Sequence, residues 1–288
     1  MDSTAASPAN FPLSLGTGGK EDPVHRASVN AFLRAKNIDP KGPFQLEIWP
    51  SDIRELPNDY ARSALFTVRN KTEKRQSMER HQIFHVHKEV KITYTGVELR
   101  ADDDELVWQQ ILDYAKHKPL GEPIEFNLHE LCNDLGWSIN GRNYEKARRS
   151  ISRLKANEVR VENERHSRGV AISMIHDYEF EGEGEKGTKY RVRIHPNLIL
   201  LFAGSTSTRL TWKPYRTLTP IARRLYDYFA SHKSPFPLKL STFHSMCNSS
   251  CGTERKWRSM VKAACGEIVA AAMVKAMWIE DDFVRCDR

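Results

Sequence analysis

One passage of this chain is written twice, as LDYAKHKPLGEPIEFNLHELC at 112–132 and, recast, as YDYFASHKSPFPLKLSTFHSMC at 226–247. Asp113 and Tyr114 correspond to Asp227 and Tyr228, and Pro123 and Phe126 to Pro237 and Leu240. Leu128, His129, Leu131 and Cys132 correspond to Phe243, His244, Met246 and Cys247. The interval is 114 residues at Asp113 and Asp227 and one more at the two cysteines, which is far longer than a solenoid period and marks a duplicated domain. A chain of 288 residues has room for two such domains, each closing its own core.

Each copy reads as helix, short strand, brief helix, tight turn, longer helix, then hairpin strands. The first helix of copy one is expected to start at a capping Asp102, with Leu106, Val107, Gln110, Ile111 and Tyr114 on one face. Its counterpart opens with Thr219 and Pro220. Strands follow at 124–126 and 238–240, then the brief helices NLHELCNDLG and STFHSMCNSS. Helix, turn and helix closed by a β-hairpin is a winged helix. The expected fold is therefore α+β: an arm over residues 1–57, a first winged helix over 58–204 and a second over 205–288. Residues 1 to about 43 are rich in Ser, Ala, Gly, Pro and Asn, and the arm is expected to be mobile.

The net charge of +7 suggests a polyanionic partner, and its distribution is uneven. Residues 205–288 hold 14 Lys and Arg against 7 Asp and Glu, whereas residues 1–204 hold 30 of each. The longer helices carry that charge in a pattern. In RNYEKARRSISRLKAN, Tyr144, Ala147, Ile151 and Leu154 form a buried stripe, and Arg142, Lys146, Arg149 and Arg153 recur on another face. Arg142 and Asn143 are placed for bases, since Arg pairs with guanine and Asn with adenine by two hydrogen bonds, while Lys146, Arg148 and Arg153 are placed for phosphate. In TERKWRSMVKAACGEIVAA, Trp257, Val261, Ala264 and Ile268 are buried, and Arg255, Arg258, Ser259 and Lys262 share a face with Lys256 alongside. Arg165, His166 and Arg168 at a turn before Gly169 form a basic first wing, whereas Glu280, Asp281 and Asp282 at the second wing should be repelled by phosphate.

Five scattered cysteines do not make a disulfide framework, and together with the lack of a secretory signal they suit a reduced cytoplasm. No run approaches the roughly 18 apolar residues of a membrane span. His85 and His87 have the spacing of a metal-dependent nicking enzyme, but Tyr144, Tyr226 and Tyr228 fall in core helices and leave no nucleophile beside them. His244, Cys247 and Cys251 lack the spacing and second pair of a zinc site, and no phosphate-binding glycine loop is present. No catalytic residue, metal or cofactor is expected.

The blocks VKITYTGVELRADDDELVWQQILDYAK, LCNDLGWSINGR and TLTPIARRLYDYFASHKSPFPLKLSTF resemble the TrfA family of plasmid replication initiators, over about Pro57 to the carboxyl end. That resemblance implies binding of double-stranded origin repeats (iterons) as monomers, melting of a neighbouring A·T-rich region with single-stranded DNA as a further ligand, recruitment of host DnaA and helicase, and inactive dimers formed through the first domain. In the arm, Gln45, Leu46, Ile48 and Trp49 (QLEIW) look like the short motif that docks on the bacterial sliding clamp. The other reading of those residues is that they pack on their own domain. A tandem winged-helix transcription regulator and a metal-dependent nickase are the alternative functions.

Overall fold

The computed structural model describes Asp39 and residues 42–163, 168–182, 188–202 and 207–288, with the side chains of Asn163 and Arg168 excepted. Its elements are β1 (Ile53–Pro57), α1 (Asn58–Ala61), β2 (Phe66–Thr67), β3 (Ser77–Ile83), β4 (Val90–Val97), β5 (Leu99–Arg100) and α2 (Asp104–Ala115). There follow β6 (Ile124–Asn127), α3 (Leu128–Asp134), α4 (Gly141–Lys155), β7 (Asn157–Asn163), β8 (Arg168–Ile172), β9 (Asp177–Glu181), β10 (Lys189–Arg193) and α5 (Ile199–Phe202). The last are β11 (Ser207–Thr211), α6 (Trp212–Thr217), α7 (Pro220–Ala230), β12 (Leu238–Lys239), α8 (Leu240–Cys247), α9 (Glu254–Ala270), β13 (Ala276–Glu280) and β14 (Phe283–Asp287).

The duplication is visible in three dimensions as α2-β6-α3-α4 and α7-β12-α8-α9. The buried set of α4, Ala147, Ser150, Ile151 and Leu154, recurs in α9 as Val261, Ala264, Cys265 and Ile268 at the interval that separates Asp113 from Asp227. Each brief helix ends on a left-handed residue, Asn248 after α8 and Gly136 after α3. At Gly136 a Cβ would stand 3.1 Å from the Arg216 guanidinium, so both conformation and space favour glycine there. Caps begin the helices: Asn127 with Glu130 forms a reciprocal capping box on α3, Asn140 accepts from the Asn143 amide on α4, and Thr253 accepts from the Lys256 amide on α9. The cap of α2 is Asp103, one residue beyond the expected Asp102.

The sheets correct the expected first wing. In copy two, β14 pairs with both β13 and β12, aligning Leu238 with Val284. In copy one the same role falls to β10, which pairs with β9 and with β6, aligning Ile124 with Val192. The β7-β8 hairpin is instead part of a four-stranded sheet of order β3-β4-β7-β8. Arg165 and His166 lie outside the described residues, and Arg168 is described only as the backbone start of β8. Sequential hairpins looked equivalent because both alternate apolar with other residues, Val159 and Val161 in one and Tyr190 and Val192 in the other; only the pairing with β6 tells them apart.

The domain limits also move. The first hydrophobic core runs from Phe44 to Tyr215 and the second begins at Leu218, in place of 58–204 and 205–288. Antiparallel pairing of β1 with β11, from Ile53 opposite Thr211 to Pro57 opposite Ser207, draws both ends of the first unit together. Residues 44–57, expected in a mobile arm, are thus part of the folded unit.

The two units meet around a buried cation. Arg224 of α7 has no solvent exposure; it pairs with Asp227 at 2.7 Å and Glu105 at 3.2 Å and donates to the carbonyls of Tyr60, Ala61 and Ser63. The Tyr215 hydroxyl donates to the other Asp227 oxygen at 2.9 Å, and Arg223 reaches Glu105 and the carbonyls of Ala101 and Leu218. Burial, then the neighbouring Glu105, pushes the Asp227 carboxyl well above the usual carboxylate range. Beside this cluster, Arg62 of the first unit donates to the Ser231 hydroxyl, and the His232 ring packs in tilted contact with Tyr228 at 4.6 Å and His87 at 5.8 Å.

Removing one partner from a buried ion cluster strands the others, so Arg224→Ala should lower stability by about 3–5 kcal/mol in urea denaturation. Burial, with Arg62 and His87 nearby, holds the His232 imidazole down at about 4. The unfolded chain then binds the extra proton first, so stability contributed by neutral His232 is full above its ordinary value near 6.5 and is lost as pH falls towards 4. Between pH 6.5 and 5.5 the melting temperature of the unaltered protein should fall relative to that of His232→Asn, a difference that removes the opposing contribution of raised carboxyls such as Asp227.

Candidate nucleic-acid interface

Helix α9 buries Trp257, Val261, Ala264, Cys265 and Ile268 and turns Arg255, Lys256, Arg258, Ser259 and Lys262 to solvent, all five exposed. The Trp257 indole donates to the Leu240 carbonyl at 3.0 Å, fixing α9 across α8. Arg258 contacts Asp282 at the tip of the β13-β14 hairpin, 3.2 Å away, and Glu280 pairs with Arg285. The acidic tip is thus partly matched by the unit's own cations. Arg255, Lys256 and Lys262 make no ion pair with any described residue.

Helix α4 is different, and two of its expected phosphate contacts are engaged within the first unit. Arg153 is only 14% exposed; it pairs with Asp104 at 2.8 Å and Asp103 at 3.0 Å and also donates to Ser150. Lys146 lies 3.5 Å from Asp102 and 4.1 Å above the Trp137 ring. Both point back at the acidic start of α2, because the cationic recurrence read from sequence overlaps the edge of the helix that faces its neighbour. Asn143 spends its amide on the Ser138 carbonyl at 2.7 Å. Arg142 is exposed; Arg149 is 70% exposed and bonds Glu145, as Arg148 does more weakly. The outward face also carries Ser152 and Lys155, both exposed and both passed over in the sequence. Lys155 lies seven residues beyond Arg148, two helical turns, which is the signal that could have found it.

The QLEIW segment is corrected as a free docking peptide. Leu46 and Trp49 are each 2% exposed in the first core, the Trp49 indole donates to Asp113 at 3.0 Å, and Gln45 donates to the Lys116 carbonyl. Of its apolar residues only Ile48 faces water, beside the exposed Gln45 and Glu47. The aromatic and aliphatic anchors that make such a segment sticky also bury it in its own domain.

The His85 side chain is enclosed, its Nδ1 against the His87 backbone, and burial lowers its proton affinity. His244 sits on the Trp257 ring, and Cys247 is enclosed, its thiol pushed up by burial. Among the described residues no group of three or more His, Cys, Asp and Glu is placed to hold a metal, and no helix is long and apolar enough to cross a membrane.

Loss of a buried ion-pair partner should separate the two kinds of arginine on α4. Arg153→Ala should lower stability by about 3 kcal/mol or more, because Asp104 is fully enclosed, whereas Arg149→Ala should change it by less than about 0.5 kcal/mol. Equal urea midpoints for the two variants would contradict this assignment.

The comparisons with known proteins agree with this architecture. The family model described as "TrfA protein" matches residues 34–288. The chain is 50% identical over 245 residues to the plasmid replication initiator protein TrfA of Escherichia coli, covering 85% of this chain and spanning 64% of that relative's length. Among solved structures, domains 2 and 3 of RctB superpose with a TM-score of 0.53 at 13% identity, covering 81% of this chain and 99% of theirs. A second structure of RctB domains 2-3 gives a TM-score of 0.50 at 14% identity, covering 71% of this chain and 81% of its own. At such identities the likeness is one of fold, whereas the family model and the sequence relative fix the lineage. The chain belongs to the TrfA family.

Proposed function

We propose that this protein initiates plasmid replication by binding direct repeats in the origin, with α2-β6-α3-α4 and α7-β12-α8-α9, each closed by its hairpin, acting as two winged helices. The observation that carries the reading is the face of α9. A helix that needed only solubility would mix signs, yet Arg255, Lys256, Arg258 and Lys262 are all exposed over a continuous buried stripe. At about 1.5 Å per residue the helix is about 25 Å long, and a major groove about 12 Å wide admits it. Arg255 and Arg258 lie near its amino end, where recognition helices meet base edges. In copy one, Arg142 and Arg149 share one outward strip and Arg148 and Lys155 the strip next to it, and Lys146 and Arg153 hold the helix on its domain.

The initiator reading is favoured over a transcription regulator by the named relative, and over a nickase by the enclosure of His85. Opening of an A·T-rich segment then draws its free energy from binding and DNA deformation, since no nucleotide-hydrolysing loop is needed for it.

On origin DNA, Arg255→Ala should weaken binding by about 1–3 kcal/mol and relax preference at one base position, as loss of a bidentate contact does. With roughly six phosphates neutralised, affinity should fall about a thousandfold between about 50 and 200 mM salt. Permanganate-reactive thymines on supercoiled origin DNA would support initiation; nicked circles would overturn it in favour of the enzyme, and protection without open bases would leave a regulator.

A further inference from the structure

The loop between β2 and β3 joins the two candidate DNA-reading helices, although it belongs to neither repeat. At one end Lys71 lies 3.1 Å from Asp102, the carboxylate that also holds Lys146 of α4. Next to it, Arg75 pairs with Asp103 and Asp104 at 2.7 Å, the same two residues that bind Arg153 of α4. At the other end the Ser250 hydroxyl donates to Glu73 at 2.6 Å, three residues before the Thr253 cap of α9. Arg69 bonds Asn248 at 3.3 Å, and the Val68 amide donates to the Cys247 carbonyl at 2.8 Å. The segment is a built turn. Arg100 donates to the carbonyls of Asn70 and Glu73, the Asn70 side chain accepts from the Thr72 amide, and the Glu73 amide closes on the Asn70 carbonyl.

The charges left over point outward. Glu73 is satisfied by Ser250 and Arg69, and Arg75 by two aspartates. Lys71 remains 77% exposed despite its contact with Asp102, and Lys74 is exposed without an ion pair to any described residue. An exposed pair such as Lys71 and Asp102 contributes little stability, so the fold gives no strong reason for either lysine. Two exposed ammonium groups on a rigid turn between α4 and the start of α9, Lys74 without a described ion pair and Lys71 held only by a surface pair with Asp102, match a polyanion that spans both helices.

We propose that the turn Asn70–Arg75 is a third DNA contact, in which Lys71 and Lys74 bind phosphates of the backbone lying between the segments read by α4 and α9. Lysine is a point charge without the planar fork that reads bases, so the contact sets register and affinity and carries no sequence preference. The inference rests on the reading of α4 and α9 as DNA-binding helices and extends it to a residue stretch outside the duplication.

The test is the salt dependence of binding to origin DNA and to a scrambled duplex, for the unaltered protein, Lys71→Gln/Lys74→Gln, Lys74→Gln alone and Arg255→Ala. Each lost phosphate contact should flatten the slope of log affinity against log salt by about 0.9, so the double variant should lose about 1.8 and bind about 30-fold more weakly near 0.15 M salt on both duplexes. Lys74→Gln, which breaks no described ion pair, should lose about half of that slope change with its melting temperature unchanged. Hydroxyl-radical protection between the two read segments should fade with the slope. An unchanged slope in both glutamine variants, while Arg255→Ala still weakens origin binding, would overturn the third contact and leave the helices standing. A loss confined to the origin duplex would also overturn it, since the turn would then be reading bases. If Arg255→Ala is silent as well, the assignment of the helices falls.

Discussion

The arrangement of the whole chain depends on one guanidinium with no access to water. Arg224 sits where α7 of the second unit meets α1 and α2 of the first, and it serves two carboxylates and three backbone carbonyls. A hydrophobic plug of similar volume would also fill the space and often gives equal or greater stability. It would not, however, specify direction. Carbonyls at Tyr60, Ala61 and Ser63 and carboxylates at Glu105 and Asp227 can be satisfied together only in one relative orientation of the units, and any slip leaves a buried charge without its partner. The relation between α4 and α9 is therefore set by electrostatics in a dry interior, where salt screens it little.

The repeated aspartates show how a duplication diverges. Asp113 and Asp227 occupy the same position near the ends of α2 and α7. Asp227 turned inward to meet Arg224 and Tyr215, joining the units. Asp113 receives the Trp49 indole and pairs with Arg54 and Lys116, fastening the segment that precedes the first strand. One ancestral carboxylate thus became the attachment point for two different neighbours.

That divergence explains what could be read in advance. The helices, their order and the buried stripes of α4 and α9 were legible because 3.6-residue periodicity and caps such as Asn140 and Thr253 are local properties. The five outward residues of α9 were legible for the same reason. The fate of Lys146 and Arg153 was not, because it depends on the acidic start of α2, some fifty residues away, folding against that edge of the helix. Nor was the burial of Leu46 and Trp49: a Gln followed by aliphatic and aromatic anchors has the same composition whether it waits for a partner or packs at home. The first hairpin was misassigned because alternation gives a strand its faces but not its neighbour; pairing of β6 with β10 is a nonlocal fact.

The two units are consequently unlike in their electrostatics despite their common plan. Residues 205–288 carry all of the chain's excess positive charge, and α9 presents it with only Arg258 engaged by a described carboxylate. On α4, Glu145 shares Arg148 and Arg149, while Asp102, Asp103 and Asp104 retain Lys146 and Arg153. A phosphate could draw Lys146 away from Asp102 at modest cost, since that pair is long at 3.5 Å and part-exposed. It could not draw Arg153 away, because Asp104 is enclosed and would keep Arg75 as its one described cationic partner. Copy one is thereby held rigidly to its domain by the same cations that a helix-only view would assign to DNA, whereas Arg255, Lys256 and Lys262 of copy two stay exposed without an ion pair to any described residue.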